Sequence, residues 1–151
     1  MITSHEQLDR RFAELRPLAE TAVRPSRGWI RAVRDALGMT TAQFARRMGV
    51  KQPRIIELEK GEARGAITLQ SLERAAKALD CRVIYVLLPV RPLGETLHAR
   101  AAVMADQQLV AVEQTMGLED QAVPGGVRRA QARADLIKEL LRRPARLWDA
   151  P

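Results

Sequence analysis

The stretch from Met39 to Gly61 has the sequence MTTAQFARRMGVKQPRIIELEKG. Its pattern predicts two short helices joined at Gly49, because glycine readily takes the left-handed conformation that a tight turn requires. Ala45 is small enough to let two helices cross closely, while Ile55 and Leu58 have the spacing of an inward-facing side. We therefore predict that the second helix has one side packed and its other sides free.

Helical spacing of apolar residues continues on both sides of this stretch. It predicts further helices over residues 4–22, 28–37, 68–79, 95–116 and 127–141. Ser26, Thr68 and either Thr40 or Thr41 precede helices, at positions where a hydroxyl can accept from unpaired backbone amides. Gly61 is expected to end the second helix of the central stretch.

The net charge of +7 is unevenly distributed along the chain. Residues 26–61 carry eight basic and three acidic side chains, whereas residues 95–126 carry one basic and five acidic ones. A basic excess returns in residues 127–151, with seven basic and three acidic side chains. A basic block that coincides with the two-helix stretch favours a face that binds a polyanion such as nucleic acid. An arginine-rich solvated surface is the alternative interpretation.

The free sides of the second helix carry side chains suited to recognising duplex DNA. A helix of this kind fits the major groove, where glutamine pairs with adenine and arginine with guanine. An exposed isoleucine can pack on a thymine methyl group, and a glutamate can accept from cytosine or orient a neighbouring arginine. The candidates for base contacts are Gln52, Pro53, Arg54, Ile56 and Glu57. The candidates for phosphate contacts are Thr40, Thr41, Arg46, Arg47, Lys51 and Lys60.

Several of these residues have a second interpretation. Arg54 suits a phosphate nearly as well as a base edge. Glu57 can belong to a solvated helix face, and Arg46 and Arg47 can be surface charge without a DNA contact.

Residues 81–88, CRVIYVLL, differ from the helical segments because they are almost continuously apolar and rich in β-branched side chains. They predict a strand that Pro89 closes. A single strand needs a partner, and the same strand of a second copy would supply one across a two-fold axis. We expect a homodimer that binds an inverted repeat with half-sites about 34 Å apart. The residues expected to join the two copies are Val83, Ile84, Tyr85, Val86 and Leu87. Pairing with an unrecognised strand of the same chain is the alternative.

The two-helix stretch resembles the helix-turn-helix of the phage-repressor-like (XRE) family, and the resemblance extends over residues 29–80. It rests on the spacing of Ala45, Gly49, Val50, Ile55, Glu59 and Gly61, and on the later stretches 68–72 and 75–79. The resemblance implies a structural ion pair between Arg34 and Glu59. Two positions depart from the family pattern. Thr41 stands where the family often has a phosphate-binding glutamine, and Lys51 stands where it often has a capping serine.

The whole chain resembles a narrower family, called mobile mystery protein A, and the segment after the core resembles that of HipB-type antitoxin repressors. The stretches that carry the first resemblance are residues 25–31, 78–85 and 146–149. This resemblance implies a regulator or antitoxin encoded on mobile elements beside a Fic-domain partner. Candidate contacts for such a partner are Trp148 and the acidic side chains Glu95, Asp106, Glu113, Glu119 and Asp120. A packed pair of C-terminal helices with a docked tail is the alternative interpretation.

The sequence shows no pattern of catalytic or metal-binding residues. His5 and His98 are far apart, Cys81 is the only cysteine, and no glycine-rich phosphate loop follows a strand. We therefore expect neither an enzyme nor a cofactor or metal. No apolar run approaches the length of about 18 residues that a membrane span needs. Residues 1–11 are polar, which predicts a cytoplasmic protein.

These observations predict an all-α fold with four or five helices in a repressor-like helix-turn-helix core, one dimerising β-strand and C-terminal helices. The expected domains are an N-terminal helical arm (1–25), a DNA-binding domain (26–80), a dimerisation strand (81–90) and a C-terminal helical region (94–151). The expected function is that of a dimeric, sequence-specific and autoregulatory transcriptional regulator, with a Fic-domain protein as a further partner. The alternatives are an antitoxin or adaptor that mainly neutralises a protein, and a non-specific nucleic-acid binder.

Overall fold

The computed structural model describes residues 4–117 and 126–149. These residues form the helices α1 (Ser4–Thr21), α2 (Trp29–Ala36), α3 (Thr41–Met48), α4 (Gln52–Ala63), α5 (Leu69–Ala78), α6 (Leu93–Gly117) and α7 (Gly126–Leu141), and a short 3-10 helix (Pro144–Trp148). The chain divides into two compact units. One runs from Pro17 to Leu87, and the other joins the residues before Pro17 to those after Leu87. No helix in the described part of the chain is long and apolar enough to span a membrane.

In the unit from Pro17 to Leu87, the local sequence defines the ends of several helices. α3 begins after Thr40, whose hydroxyl accepts from the Gln43 amide at 3.1 Å while the Gln43 side chain accepts from the Thr40 amide at 2.8 Å. α3 ends at Gly49, whose φ of 67° is the left-handed conformation that the sequence predicts there. Thr68 caps α5 by accepting an amide hydrogen bond at 3.1 Å.

The core of this unit lies among α2, α3, α4 and α5. Its buried side chains are Ile30, Phe44, Ala45, Ile55, Leu58, Ala75 and Leu79. Ile55 and Leu58 of α4 are buried, so this side of α4 faces the core, while Gln52, Arg54 and Ile56 are exposed. Burial of an isoleucine side chain contributes about 1.5–3 kcal/mol, which fixes the side of α4 that turns inward.

α4 extends beyond Gly61, so the predicted end of this helix is wrong. The helix continues to Ala63, and Gly61 is buried inside its last turn. Gly65 takes the left-handed conformation, with a φ of 72°, and the Ala66 amide donates to the Gly61 carbonyl at 2.7 Å. The sequence pattern does not distinguish which of two nearby glycines reverses the chain, and the later one does so.

Residues 81–89 form neither strand nor helix, so the predicted dimerising β-strand is wrong. No segment within residues 4–117 and 126–149 forms a strand, and the chain therefore offers no partner there. An apolar, β-branched run becomes a strand only through ladder hydrogen bonds to a neighbour. Four of the five residues expected to pair are exposed: Ile84, Tyr85, Val86 and Leu87, while Val83 is partly buried.

The second unit packs α6 against α7 in antiparallel orientation. Its buried side chains are Ala101, Ala105, Ile137 and Leu147. Arg133 of α7 donates two hydrogen bonds to Asp106 of α6, at 2.6 and 3.1 Å, and Arg129 lies 2.9 Å from Glu113. The Arg133 guanidinium holds the pKa of the Asp106 carboxyl below its ordinary value. These half-exposed pairs add contacts between the two helices.

The start of α6 is capped by a side chain of α1. Asp9 accepts hydrogen bonds from the Leu93 and Gly94 amides at 2.7 and 2.9 Å. The hydrogen bond from Gly94 is the largest cause that holds the pKa of the Asp9 carboxyl below its ordinary value. Two amides that would lack partners inside α6 are thereby satisfied.

The C-terminal tail docks on α6. The Arg100 side chain donates to the Leu147 carbonyl at 2.9 Å, and its guanidinium lies 6.0 Å from the centre of the Trp148 ring. The tail is therefore held by the buried Leu147 side chain, this hydrogen bond and this cation–π contact.

Two of the acidic candidates for partner contacts, Glu119 and Asp120, lie outside the described residues.

Candidate nucleic-acid interface

The first turn of α4 is open to solvent. Lys51 occupies the N-cap position, and its side chain makes no capping hydrogen bond. Pro53 lies in the first turn, where its missing amide hydrogen has no intrahelical partner to lose. The positive end of the helix dipole and the Lys51 ammonium together favour a phosphate near this end of α4.

One side of α4 is buried, and the remaining sides carry the predicted base-contacting residues. Ile55 and Leu58 are 0% and 7% exposed. Ile56, between them, is 42% exposed and leaves an apolar surface open to a thymine methyl group. All five candidates for base contacts lie on the solvent side: Gln52, Pro53, Arg54, Ile56 and Glu57.

Two hydrogen bonds orient the polar side chains of this surface. The Gln52 Nε2 donates to the Thr41 hydroxyl at 2.7 Å, which leaves the amide oxygen and one amide hydrogen free. These are the two groups that a glutamine uses to bind adenine. The Arg54 guanidinium donates to the Glu57 carboxylate at 3.2 Å, and both side chains are more than half exposed. An exposed pair of this kind contributes only about 0–1 kcal/mol, so Arg54 can exchange Glu57 for DNA.

A buried ion pair fixes the rotation of α4 against α2. Arg34 donates to the two carboxylate oxygens of Glu59 at 2.5 and 3.2 Å, and both residues are 6% exposed. A third hydrogen bond runs from Arg34 to the Met39 carbonyl at 2.8 Å. The hydrogen bond with Glu59 is the largest cause that raises the pKa of Arg34 above its ordinary value. The pair is thus charged, buried and turned away from solvent, which is the geometry of a structural contact.

A second anchor of α4, through Glu62, is absent from the sequence-based predictions. Glu62 is 3% exposed, and its carboxylate accepts from the Trp29 amide at 2.7 Å and from the Ile30 amide at 2.9 Å. It therefore caps α2, whose own N-cap residue is Gly28. A Cβ at Gly28 would lie 2.6 Å from the Glu62 carboxylate, so the cap needs a glycine there. A glycine directly before a helix, where a hydroxyl or carboxylate is common, is the sequence signal that the cap comes from elsewhere.

A family model described as helix-turn-helix matches residues 30–86. Residues 30–86 are a helix-turn-helix domain. The match includes α3, α4 and α5 and ends before α6. It identifies the type of domain and no narrower family. Comparisons of the chain with curated proteins and with solved structures found no match.

The predicted phosphate-contacting residues of the helix-turn-helix domain fall into two groups: three side chains bond to other residues of the domain, and three do not. Thr40 caps α3, and Thr41 accepts from the glutamine at the start of α4. Arg47 donates to the Ala78 carbonyl at 2.7 Å and to the Asp80 carboxylate at 3.1 Å, which ties it to the end of α5. Three cations are exposed and form no ion pair or hydrogen bond through their side chains with another described residue: Arg46, Lys51 and Lys60.

The surface of the helix-turn-helix domain carries groups that can bind nucleic acid. In residues 4–117 and 126–149, no three histidine, cysteine, aspartate or glutamate side chains lie close enough together to hold a metal ion. The surface around α4 presents hydrogen-bonding groups, one apolar side chain and unpaired cations. This combination matches the base edges and phosphates of duplex DNA.

Proposed function

We propose that this protein is a sequence-specific, DNA-binding transcriptional regulator that acts by binding and not by catalysis. The observation that carries the proposal is the solvent side of α4, where Gln52, Arg54 and Ile56 are exposed on a helix whose opposite side is buried. The major groove distinguishes base pairs by hydrogen-bond pattern and by the thymine methyl group, and these side chains match those features. A helix-turn-helix presents its second helix to that groove.

In the proposed complex, four exposed residues of α4 and its N-cap residue have defined roles. Gln52 binds adenine, Arg54 binds guanine or a phosphate, and Ile56 packs on a thymine methyl group. Lys51 and Lys60 bind phosphates on either side of the helix. Sequence preference then comes from three side chains, while most of the affinity comes from charge.

The proposed active form is a homodimer that binds an inverted repeat. Dimers of helix-turn-helix domains place their second helices one turn of DNA apart, about 34 Å. Exposed apolar side chains on the unit from Pro17 to Leu87 support association, since Leu18 and Val23 are 61% and 70% exposed. Pairing of β-strands has no part in this proposal.

Autoregulation, a cytoplasmic location and an antitoxin-like relationship to a Fic-domain protein complete the proposal. The support for the antitoxin-like relationship and its Fic-domain partner is the resemblance of residues 25–31, 78–85 and 146–149 to mobile mystery protein A. That resemblance also points to a mobile element as the genetic setting. Capture of the neighbouring gene product by the purified protein tests for this partner. If the purified protein does not capture a Fic-domain product of the neighbouring gene, the proposed partner is excluded.

The proposed function is tested by footprinting on the DNA upstream of the gene, with a scrambled duplex of equal length as the control. Both are measured at several salt concentrations, because phosphate contacts make affinity strongly dependent on salt. We expect protection confined to one inverted repeat and an affinity at least about 10³-fold above that for scrambled DNA. Equal affinity for the two duplexes contradicts the proposal and identifies a non-specific binder.

A further inference from the structure

A notch of about 310 Å³ lies in the unit that contains the helix-turn-helix, beside the exposed side of α4. Arg27 and Arg31 line it near the start of α2, Ile56 and Lys60 line it from α4, and Thr41 lines it from the start of α3. The notch therefore adjoins the surface on which we propose base contacts. An occupant of the notch would lie next to the bound base edges.

Four cationic side chains line this notch, and only Arg34 is fully satisfied within the described residues, by its hydrogen bonds with Glu59. Arg27 and Lys60 are exposed and form no hydrogen bond or ion pair through their side chains there. The Nε of Arg31 is shielded from solvent but has no hydrogen-bond partner. Its ion-pair partner, the Asp35 carboxylate, lies 3.6 Å away, beyond hydrogen-bonding distance. An unpaired, shielded donor raises the free energy of the protein, and an incoming acceptor relieves that cost.

The acidic side chains near the notch are already neutralised. Glu59 lines the notch, but both of its carboxylate oxygens accept hydrogen bonds from Arg34. Asp35 lies 2.8 Å from the same arginine and is more than half exposed. The charge that the notch presents to a ligand is therefore positive, which selects an anion.

We infer that this notch binds a backbone phosphate of the DNA duplex, and that Arg27 and Arg31 fix the register of α4 in the major groove. A helix in this groove has a phosphate chain along each side, so a cationic notch beside α4 meets one of them. A planar guanidinium binds two phosphate oxygens at once, which a lysine ammonium does not. The two arginines are positioning residues, because phosphate contacts carry no sequence information. The inference rests on the proposed function.

The test compares the double variant Arg27→Ala/Arg31→Ala with the unchanged protein. Binding to the inverted repeat and to scrambled DNA is measured between about 50 and 200 mM salt. Each lost phosphate contact reduces the slope of log affinity against log salt by about one. The proposed dimer loses one such contact in each subunit, so we expect a reduction of about two. Both duplexes should lose affinity by a similar factor. An unchanged slope overturns the inference.

Matched variants separate a local contact from a general effect of charge. Arg128→Ala/Arg143→Ala removes the same charge from two exposed positions of the other unit and should leave the slope unchanged. An equal reduction in both double variants overturns the inference. Arg31→Lys should keep part of the salt dependence that the alanine variant loses, but not the full affinity. Lysine keeps the charge of arginine and lacks its planar guanidinium. If the first double variant does not fold, Arg27→Gln, at an exposed position outside any helix, should reduce the slope by about one.

Ethylation interference on the inverted repeat locates the contact. In the unchanged protein, ethylation of one phosphate beside each half-site should block binding, and in Arg27→Ala/Arg31→Ala that interference alone should disappear. If the two patterns are identical while the footprint persists, the inference fails and the proposed function stands. If the unchanged protein prefers no duplex, the proposed function itself fails.

Discussion

The side-chain amide of Gln52 donates a hydrogen bond of 2.7 Å to the hydroxyl of Thr41. Thr41 is the first residue of α3 and Gln52 the first residue of α4, so this contact joins the starts of the two helices across the turn. A glutamine held by one amide hydrogen presents its oxygen and its other hydrogen in a fixed direction. Less side-chain freedom is then lost when a base is bound.

Thr41→Val should weaken recognition of the base that Gln52 contacts. Valine has the shape of threonine but offers no acceptor, so Gln52 loses its orientation. We expect a loss of about 1 kcal/mol on the inverted repeat and little change on scrambled DNA. Competition binding with base-substituted repeats measures this, and Thr41→Ser, which keeps the hydroxyl, is the control. Equal behaviour of the valine and serine variants would refute the role of Thr41.

Gln52→Ala and Arg54→Ala should each relax preference at one base pair per half-site. Each loss is expected to cost about 1–3 kcal/mol if the side chain contacts a base edge. Binding to a panel of single base-pair substitutions shows which position is relaxed. Gln70→Ala, on the exposed side of α5, is the matched control and should leave the panel unchanged. An unchanged preference in the α4 variants contradicts the assignment.

Glu57→Gln should increase affinity and decrease specificity. The change removes the carboxylate that binds Arg54 and a negative charge that faces the DNA phosphates. We expect a gain of about 0.5–1 kcal/mol, larger on scrambled DNA than on the inverted repeat, since freed cations bind phosphates without regard to sequence. Glu73→Gln removes the same charge from an exposed position of α5. A gain of the same size in this control would show that only net charge matters.

Glu62→Ala should destabilise the unit from Pro17 to Leu87. The substitution leaves the Trp29 and Ile30 amides without their acceptor, and an unpaired buried donor costs about 1–3 kcal/mol. Urea denaturation measures the free energy of unfolding. Glu73→Ala, at an exposed position, should change it by less than about 0.5 kcal/mol. A similarly small change in Glu62→Ala would mean that the cap contributes nothing.

Asp9 should make the second unit more stable at neutral than at acidic pH. The hydrogen bond from Gly94 holds the folded-state pKa of Asp9 below its value in the unfolded chain. Its contribution is therefore present above the unfolded pKa of about 3.9 and is lost as the pH falls through the lower, folded-state pKa. We expect Asp9→Asn to be less stable than the unchanged protein at pH about 7, with the difference vanishing in acid. Glu14→Gln, on the same helix, is the control, and a difference independent of pH counts against this account.

The parts of the fold that depend on neighbouring residues could be predicted from the sequence. Gly49 ends α3 as predicted, and Thr40, one of the two threonines predicted to cap this helix, begins it; both act through hydrogen bonds and backbone preferences within a few residues. The burial of Ile55 and Leu58 follows from helical spacing alone. The strand prediction failed because strand formation depends on a partner segment, which the pattern of one segment does not reveal.

The candidate site was predictable to a similar extent. Periodicity along α4 predicts which side chains are exposed, but the bonding of each cation depends on residues distant in sequence. Arg47 and Arg27 are chemically identical, yet Arg47 is bound to Asp80 while Arg27 has no such partner among the described residues. Glu62 caps a helix that begins 33 residues earlier, and only the packing of α4 on α2 brings the two together.

The two anchors of α4, Glu59 and Glu62, are buried, whereas the residues proposed to contact bases are exposed. The set of side chains that stabilises the fold therefore shares no member with the set proposed to select bases. Substitutions at exposed positions usually change stability by less than about 0.5 kcal/mol. Evolution or a protein engineer can thus change the DNA sequence that this domain is proposed to recognise, one side chain at a time, without changing the residues that stabilise its fold.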